Sequence, residues 1–218
     1  MKKGKFIVLE GLDASGKSSQ IPVLVKRMEE EGLKVYSTRE CSDGPIGKLL
    51  REVYLPGHRK CDERVINMLF PTDRFDHITN EEDGLLKYLK EGYNVVCDRY
   101  YLSSMAYDTY HLYGTEKFDE SMEDIIRRNK INIETLQPDL QIFLDVPPKV
   151  CMERLNTRNE ERSVYEEESK LVKIRESYGY AFNIMVNRYN EKIRIIDGVG
   201  SKEEISDRIW NLVRPMFV

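Results

Sequence analysis

Residues 5–20 read KFIVLEGLDASGKSSQ, an apolar strand that runs directly into the pattern Gly-x-x-x-x-Gly-Lys-Ser. This pattern is the P-loop, which binds phosphate groups. Gly11 and Gly16 have no Cβ, so the backbone can curl around an anion with its N–H groups pointing inward. A helix that begins near Lys17 adds the positive end of its dipole to that nest. The stretch therefore predicts a nucleotide-binding α/β domain.

Separate roles are expected for the residues around the second glycine. Lys17 would reach the β- and γ-phosphates of a nucleoside triphosphate, and the Ser18 hydroxyl would bind a magnesium ion. We place Ser15, Gly16 and Ser19 in the same donor site, where Ser19 keeps a hydroxyl for a phosphate. The alternative, an ordinary glycine turn, is disfavoured by the apolar strand before the loop and the helical pattern after it.

Length and composition narrow the class of protein. The chain has 218 residues and a formal net charge of −4, and we expect one domain over residues 1–218. This charge predicts no general attraction to nucleic acid or to a membrane surface. The four cysteines are widely spaced and form no Cys-x-x-Cys pattern, so they suit neither a zinc site nor a disulfide framework. With no signal peptide or membrane span recognised in the sequence, we expect a cytoplasmic protein.

Apolar runs of strand length alternate with helical patterns along the chain. We predict strands at 6–9, 34–38, 93–97, 140–146 and 193–196. We predict helices at 17–31, 45–54, 62–91 (with breaks), 102–110, 119–129, 148–158, 165–190 and 202–213. Ser201 followed by Glu204 predicts a capping box at the start of the last helix. Strand–helix alternation predicts an α/β fold of the P-loop NTPase type, a five-stranded parallel sheet with helices on both faces.

Charged residues follow the predicted strands at the edge where such a sheet binds ligands. After the second strand come Arg39 and Glu40, and after the third come Asp98 and Arg99. Two arginines and the P-loop at one edge predict two anion sites, one for each of two phosphorylated substrates. Because strand ends are often polar in any protein, a coincidence of charge is the alternative.

Several stretches in the expected order resemble the thymidylate kinases. They are TRE at 38–40 with GPIG at 44–47, FPTDR at 70–74, DRYYLSSMAY at 98–107, QPD at 137–139 and LDVPP at 144–148. The segment RNEER at 158–162 stands where that family has a short helical lid, which we expect at about 156–168. The resemblance implies phosphorylation of thymidine monophosphate to the diphosphate with ATP and Mg²⁺, by a homodimer, in the synthesis of thymidine triphosphate.

The resemblance assigns the carboxylates and the arginine nearest the phosphates. Asp13 would contact the 3′-hydroxyl of the acceptor sugar and so take part in catalysis; the alternative is that it turns to solvent. Asp98 ends an apolar strand, where a carboxylate commonly orients magnesium. Arg99 would bind the acceptor's phosphate with two parallel donors. A structural Asp98–Arg99 pair at a strand end is the alternative.

The base and sugar sites follow from the same resemblance. Phe70 would stack on thymine and Arg74, four residues later, would bond a base carbonyl, although a phenylalanine is more often a core residue. Ser103 and Tyr107 would line the sugar site, where the tyrosine disfavours a 2′-hydroxyl. Asp108 stands where many bacterial relatives have glutamine, and this carboxylate could alter the choice of pyrimidine or face water.

Arg39 is a second candidate for the acceptor phosphate. Where the family often continues with Pro-Gly-Gly, this chain continues with CSD at 41–43, which puts the shape of the loop in question. A surface arginine is the alternative.

The lid supplies the last candidates. Arg154, Arg158 and Arg162 recur every four residues, and the nearby glutamates make a solvated, salt-bridged face the default interpretation. However, Ala14 stands where some members of the family carry a catalytic arginine, and relatives without it supply that cation from the lid. We therefore predict Arg162 as the catalytic arginine and Arg158 as a contact for adenine.

The expected reaction needs no covalent intermediate, and Lys17, Arg99 and Arg162 would spread the charge of the transferred group. Three other functions stay open: a different nucleoside or nucleotide kinase, a P-loop regulatory switch, and a non-catalytic relative. The first would lack the Phe70–Arg74 pair, and the other two would bind nucleotide without transfer.

Overall fold

The computed structural model describes residues 3–157 and 167–217, and it contains all five predicted strands. They are β1 (Phe6–Gly11), β2 (Val35–Arg39), β3 (Asn94–Asp98), β4 (Leu140–Asp145) and β5 (Ile193–Asp197). All pairs are parallel, and the strand order is β2-β3-β1-β4-β5. The predicted α/β fold with a five-stranded parallel sheet is therefore confirmed.

Helices connect the strands at nearly the predicted positions. They are α1 (Lys17–Glu30), α2 (Pro45–Leu49), α3 (Glu63–Thr79), α4 (Leu85–Lys90), α5 (Tyr101–Thr109), α6 (Phe118–Arg128), α7 (Lys130–Thr135), α8 (Pro148–Asn156), α9 (Glu168–Tyr189) and α10 (Lys202–Val213). The predicted helix at 45–54 continues beyond α2 as a π-helical turn, Leu50–Tyr54. The short helix α7 was not predicted, and the predicted ends at 158 and 165 lie outside the described residues.

The three central strands are buried, and their side chains alternate between two apolar clusters. Phe6 and Val8 of β1 point into the cluster that contains α5 and α9, whereas Ile7 and Leu9 point into the cluster between α1 and α10. The edge strands β2 and β5 are more exposed than expected for a sheet that is covered on both faces. Ile195 of β5, for example, is 58% exposed. An edge strand has a neighbour on one side only, so the two-sided burial predicted for the sheet holds at its centre.

The predicted capping box at the start of α10 is confirmed. The Ser201 hydroxyl accepts a hydrogen bond from the Glu204 backbone N–H at 3.1 Å, and the Glu204 carboxylate accepts one from the Ser201 N–H at 2.7 Å. Among the described residues, no helix is both long and apolar enough to span a membrane.

The register of the sheet positions the candidate site. Leu9 of β1 lies beside Asp98 of β3, and Asp98 lies in turn beside Arg39 of β2. On the other side of β1, Gly11 lies beside Leu144 of β4. The P-loop and the ends of β2 and β3 therefore meet at one edge of the sheet, as the sequence predicts.

Candidate active site

The P-loop between β1 and α1 has the backbone geometry of an anion nest. Gly11 and Gly16 have φ angles of +153° and +105°, and Ala14 between them has a left-handed φ of +59°. A Cβ at Gly11 would lie 2.6 Å from the Ser15 Oγ and 3.1 Å from the Leu144 carbonyl oxygen. Only glycine fits there, because both neighbours belong to the loop and the sheet that shape the nest.

Lys17 is the cation of this loop. Its Nζ is buried and donates hydrogen bonds to the carbonyl oxygens of Gly11 at 3.1 Å and Leu12 at 3.0 Å. Burial, followed by the nearby charge of Arg99, lowers the pKa of Lys17 to about 8. The ammonium is still the major form at neutral pH and lines the cavity that contains the P-loop.

Ser18 and Asp98 lie together, as expected for a magnesium site. The Ser18 Oγ is 3.4 Å from Asp98 Oδ2, and the buried Asp98 Oδ1 has no hydrogen-bond partner among the described residues. Over residues 3–157 and 167–217, no group of three His, Cys, Asp or Glu side chains could hold a metal by itself. A hydroxyl and one carboxylate suit Mg²⁺, which takes its other ligands from phosphates and water.

Arg99 joins the P-loop to the rest of the site. Its Nη2 donates to Asp13 Oδ1 at 2.5 Å and to the Tyr107 hydroxyl at 3.1 Å, and the Tyr107 hydroxyl donates to Asp13 Oδ2 at 3.0 Å. Its Nη1 donates to Ser103 Oγ at 3.0 Å and to the Gly11 carbonyl at 3.1 Å. Asp13 thus turns towards Arg99 and not away into solvent. Burial acts to raise the pKa of Asp13, but the charges of Arg99 and Lys17 outweigh it and the pKa lies below its ordinary value.

A buried hydrogen-bond network centred on the Glu10 carboxylate supports the Arg99 side chain. The Glu10 carboxylate accepts hydrogen bonds from the Tyr100 N–H at 2.8 Å, the Ser103 hydroxyl at 2.7 Å and the Tyr178 hydroxyl at 2.9 Å. Burial raises the pKa of Glu10. Arg99 Nη1 in turn donates to the Tyr178 hydroxyl at 3.2 Å. Sequence reasoning missed Glu10 and Tyr178: a charge inside an apolar strand was a signal for the first, whereas nothing local marks the second.

A cavity of about 320 Å³ opens beside Arg99, and we call it the acceptor cavity. Its walls include Asp13, Glu40, Cys41, Arg51, Leu55, Phe70, Arg74, Arg99, Tyr100, Ser103, Ser104, Tyr107 and Asp108. Six residues assigned to the acceptor from the sequence are therefore brought together: Asp13, Phe70, Arg74, Arg99, Ser103 and Tyr107. A second cavity of about 450 Å³, the donor cavity, contains the P-loop and shares Asp13, Glu40 and Arg99 with the first.

Arg74 is fixed inside the protein and is only 1% exposed. Its Nη1 donates to Asn129 Oδ1 at 2.5 Å, its Nη2 donates to Ser104 Oγ at 3.2 Å, and its Nε lies 3.3 Å from Glu40 Oε2. Glu40 also contacts His77 Nδ1 at 2.9 Å. A guanidinium held on several sides presents its remaining surface to the cavity in a defined orientation.

The loop after β2 departs from the family pattern but is well anchored. Asp73 accepts from the Ser42 N–H at 2.8 Å and from the Ser42 hydroxyl at 2.6 Å. Arg51 donates to the carbonyl oxygens of Cys41 and Ser42. These contacts keep Cys41 in the wall of the acceptor cavity.

Arg39, predicted to contact the acceptor phosphate, is not among the residues that line the acceptor cavity. Its side chain is 56% exposed and donates to Asp43 Oδ1 at 2.8 Å. It lines the donor cavity and not the acceptor cavity.

Of the three arginines that are spaced four residues apart, the first contacts the P-loop and is not simply part of a solvated face. Arg154 on α8 donates from Nη1 to the P-loop carbonyl oxygens of Ala14 and Ser15, both at 3.1 Å. Sequence reasoning did not assign this contact, because it spans about 140 residues. Arg158 and Arg162 lie outside the described residues, and their assigned roles stay predictions.

Comparison with known proteins gives one consistent result. The sequence model of the family described as "Thymidylate kinase" matches residues 9–209. A thymidylate kinase of Caldicellulosiruptor saccharolyticus is 40% identical over 153 residues, which cover 70% of each chain. One from Bradyrhizobium sp. (strain ORS 278) is 30% identical over 214 residues, covering 97% of this chain and 90% of its own.

A solved thymidylate kinase structure from Candida albicans has the same fold, with a TM-score of 0.75 at 21% identity. The match covers 98% of this chain and 92% of that one. The extent of the family match and of the sequence identity together show that this chain belongs to the thymidylate kinase family.

Proposed function

We propose that this member of the family transfers the γ-phosphate of ATP to thymidine monophosphate, giving ADP and thymidine diphosphate for the synthesis of thymidine triphosphate. The observation that carries the proposal is the junction of the two cavities. Arg99 and Asp13 line both, so a phosphate bound in one lies next to a phosphate bound in the other. This arrangement suits direct in-line transfer between two bound nucleotides.

On the donor side, the P-loop N–H groups and Lys17 would hold the β- and γ-phosphates of ATP. Gly11, Ser15, Gly16 and Ser19 complete this loop. Ser18 and Asp98 would hold Mg²⁺, which supplies neutralisation of the phosphate charge when it is bound. Arg154 braces the loop from outside through the carbonyl groups of Ala14 and Ser15.

On the acceptor side, Arg99 would bind the phosphate of thymidine monophosphate with its planar fork. Asp13 and Tyr107 would contact the sugar, and Ser103 holds Arg99 in position. Phe70 would stack on the base and Arg74 would bond one of its carbonyl groups. The attacking group is an anionic phosphate oxygen, so no strong general base is needed. Arg39 is kept as a second candidate for the acceptor phosphate, which it would have to contact from the wall of the donor cavity.

We further propose that one domain covers residues 1–218, with a lid at about 156–168. Arg162 would stabilise the charge of the transferred group and Arg158 would pack on adenine. Replacement of Arg162 by alanine is then expected to lower turnover with modest changes in substrate affinity. Unchanged turnover would remove Arg162 from the reaction.

The family resemblance also motivates a homodimer. The net charge of −4 and the spacing of the cysteines motivate a cytoplasmic location and no binding to nucleic acid or membrane. Analytical ultracentrifugation tests the oligomeric state directly. A species with the mass of one chain at micromolar concentration would contradict the dimer.

The function itself is tested by coupled ADP release from ATP and Mg²⁺ with different monophosphates offered one at a time. Thymidine, deoxyuridine, deoxycytidine and uridine monophosphates form a sufficient panel. Strong stimulation by thymidine monophosphate is the expected result. Stimulation by another monophosphate alone would overturn the assigned base, and no stimulation with ATP still bound would indicate a switch or a non-catalytic relative.

A further inference from the structure

His77 is a buried histidine with a partner on each of its ring nitrogens, and it is not among the residues that line either cavity. It lies on α3 three residues after Arg74, so the two side chains share one face of the helix. Its Nε2 lies 3.0 Å from the hydroxyl of Thr38 on β2, and its Nδ1 lies 2.9 Å from Glu40 Oε1. Its side chain is only 6% exposed. The reaction described above gives this residue no role.

The two partners of His77 determine which ring nitrogen carries the proton. A carboxylate only accepts hydrogen bonds, and a neutral imidazole has one donor nitrogen and one acceptor nitrogen. With the proton on Nδ1, His77 donates to the Glu40 carboxylate and accepts from the Thr38 hydroxyl, which satisfies both nitrogens. Thr38, His77 and Glu40 therefore form a continuous set of hydrogen bonds, which we call the His77 network. It runs from β2 through α3 to one oxygen of Glu40.

Glu40 is the part of the His77 network that reaches the ligand sites, because it lines both the acceptor cavity and the donor cavity. Its backbone is fixed by β3, since its N–H donates to the Asp98 carbonyl oxygen at 3.0 Å. Its second carboxylate oxygen, Oε2, is buried and lies 3.3 Å from Arg74 Nε. Among the described residues, neither of these two atoms makes a hydrogen bond. Glu40 and Arg74 thus form an ion pair whose geometry other contacts determine.

The pair of Arg74 and Glu40 does not have the geometry that such a pair prefers. An arginine and a carboxylate pair best through two parallel hydrogen bonds. Arg74 instead donates from Nη2 to Ser104 and from Nη1 to Asn129. The other oxygen of Glu40 is occupied by His77. Without that donor, Glu40 would be free to turn both oxygens towards Arg74, and the guanidinium would rotate away from Ser104.

We propose that His77 is a positioning residue for the acceptor nucleotide, because it holds the Glu40 carboxylate so that Arg74 keeps its orientation in the wall of the acceptor cavity. His77 does not touch the substrate and acts through Glu40. The inference rests on the proposed function, since it takes Arg74 as a contact of the bound monophosphate. Affinity for the monophosphate then depends on a hydrogen-bond donor at the position of Nδ1 and not on the imidazole ring as such.

Two substitutions separate the two nitrogens of His77. The amide of asparagine lies near the position of Nδ1, so His77→Asn still donates to Glu40 and loses the contact with Thr38. The amide of glutamine reaches the position of Nε2, so His77→Gln keeps Thr38 and loses Glu40. A purely structural role of the buried ring would make the two variants behave alike. His58→Gln, which replaces an exposed histidine, is the control.

The test is equilibrium binding, by calorimetry, of thymidine monophosphate and of ATP in separate experiments. We expect His77→Gln to raise the dissociation constant for thymidine monophosphate about fivefold, the size of one net hydrogen bond. The constant for ATP should not change, and His77→Asn and His58→Gln should stay close to the parent protein. His77→Met, which fills the space without any donor, should match His77→Gln and serves if the glutamine variant does not fold.

A second background tests whether His77 acts through Glu40. In Glu40→Gln no carboxylate remains to turn towards Arg74, so the addition of His77→Gln should cause no further loss. No loss in His77→Gln, an equal loss in His77→Asn, an equal rise for ATP, or an undiminished loss in the Glu40→Gln background would each overturn the inference alone. Failure of the parent protein to bind thymidine monophosphate would overturn the proposed function, and this inference with it.

Discussion

Arg99 is the side chain on which both cavities depend. It contacts the P-loop through the Gly11 carbonyl, the proposed sugar contacts Asp13 and Tyr107, and the buried network through Ser103. Its backbone has a left-handed φ of +70°. This conformation is uncommon for a residue with a side chain, and it turns the chain sharply between β3 and α5.

Replacement of Arg99 by alanine is expected to lower kcat/KM for the monophosphate about a hundredfold, because it would remove the charged donors that we propose bind the reacting phosphate. The KM for ATP should change little, since Lys17 and the loop N–H groups are retained. Initial rates with each substrate varied in turn measure the two effects. Arg188→Ala, which removes an exposed ion pair with Glu123, is the control. Equal losses for both substrates would assign Arg99 to the fold and not to the acceptor.

Asp108 also makes a prediction about stability. Its pKa is raised to about 7 in the folded protein, against about 3.9 in an unfolded chain. Between these values the folded protein holds a proton that the unfolded chain has lost, so the free energy of unfolding falls as the pH rises from about 4 to about 7. Asp108→Asn cannot ionise and should therefore gain about 2–4 kcal/mol over the parent between those limits.

Urea denaturation at about pH 5 and about pH 8 measures this difference. Asp83→Asn, which removes an exposed carboxylate, should follow the parent protein at both. Parallel stability curves for Asp108→Asn and the parent would show that Asp108 ionises in the folded protein as it does in water.

At the scale of elements, α9 connects the far end of the chain to the phosphate site. Tyr178 reaches Glu10, Ser103 and Arg99. Arg175, almost one turn earlier, donates from Nε and Nη2 to the two oxygens of Asp145 at 2.7 and 2.8 Å. The helix is therefore attached to the ends of both β1 and β4, and its position determines how firmly Arg99 is held.

Tyr178→Phe removes the hydroxyl and keeps the ring in the core. We expect the free energy of unfolding to fall by about 1–2 kcal/mol, because buried Glu10 loses one of its donors. The KM for the monophosphate should rise about threefold to tenfold while the KM for ATP is unchanged, because Arg99 loses one support.

Thermal unfolding measures the change in stability, and steady-state kinetics measures the KM values for the monophosphate and for ATP. Tyr180→Phe is the matched control on the same helix, since its hydroxyl bonds Asp119 at the surface. A loss of stability without a change in the monophosphate KM would limit Tyr178 to a structural role.

At the scale of the whole molecule, the parallel sheet brings two cavities to one edge with shared walls. The strands β1 and β3 are neighbours although about ninety residues separate them in the chain. Asp13, Glu40 and Arg99 line both cavities, so two ligands bound there would both lie beside Arg99.

A single compound that joins adenosine to thymidine through a polyphosphate chain should therefore occupy both cavities. It should inhibit competitively against ATP and also against thymidine monophosphate, and it should bind more tightly than either half because the second contact is intramolecular. Inhibition patterns with each substrate varied test this expectation. A compound that competes with one substrate only would show that the cavities are not used together.

Much of the site could be predicted from local spacing. The P-loop pattern joins residues that are close in the chain. The rule that the carboxyl ends of parallel strands meet at one edge of the sheet correctly predicted that Ser18 and Asp98 lie together. Contacts that join distant segments had no such signal. The bond from Arg154 to the P-loop and the clamp of Asp73 and Arg51 on the loop after β2 are examples.

The sequence by itself determined the succession of the five strands and of most helices along the chain, the phosphate-binding loop and the family, because each is written in periodicity or in motifs of a few adjacent residues. Tertiary structure alone decided which polar groups became buried and with what partners. Glu10 acquired three donors, whereas Asp108 acquired none among the described residues and its pKa rose to about 7. Desolvation depends on everything packed around a group, and residues far apart in the chain supply that surrounding.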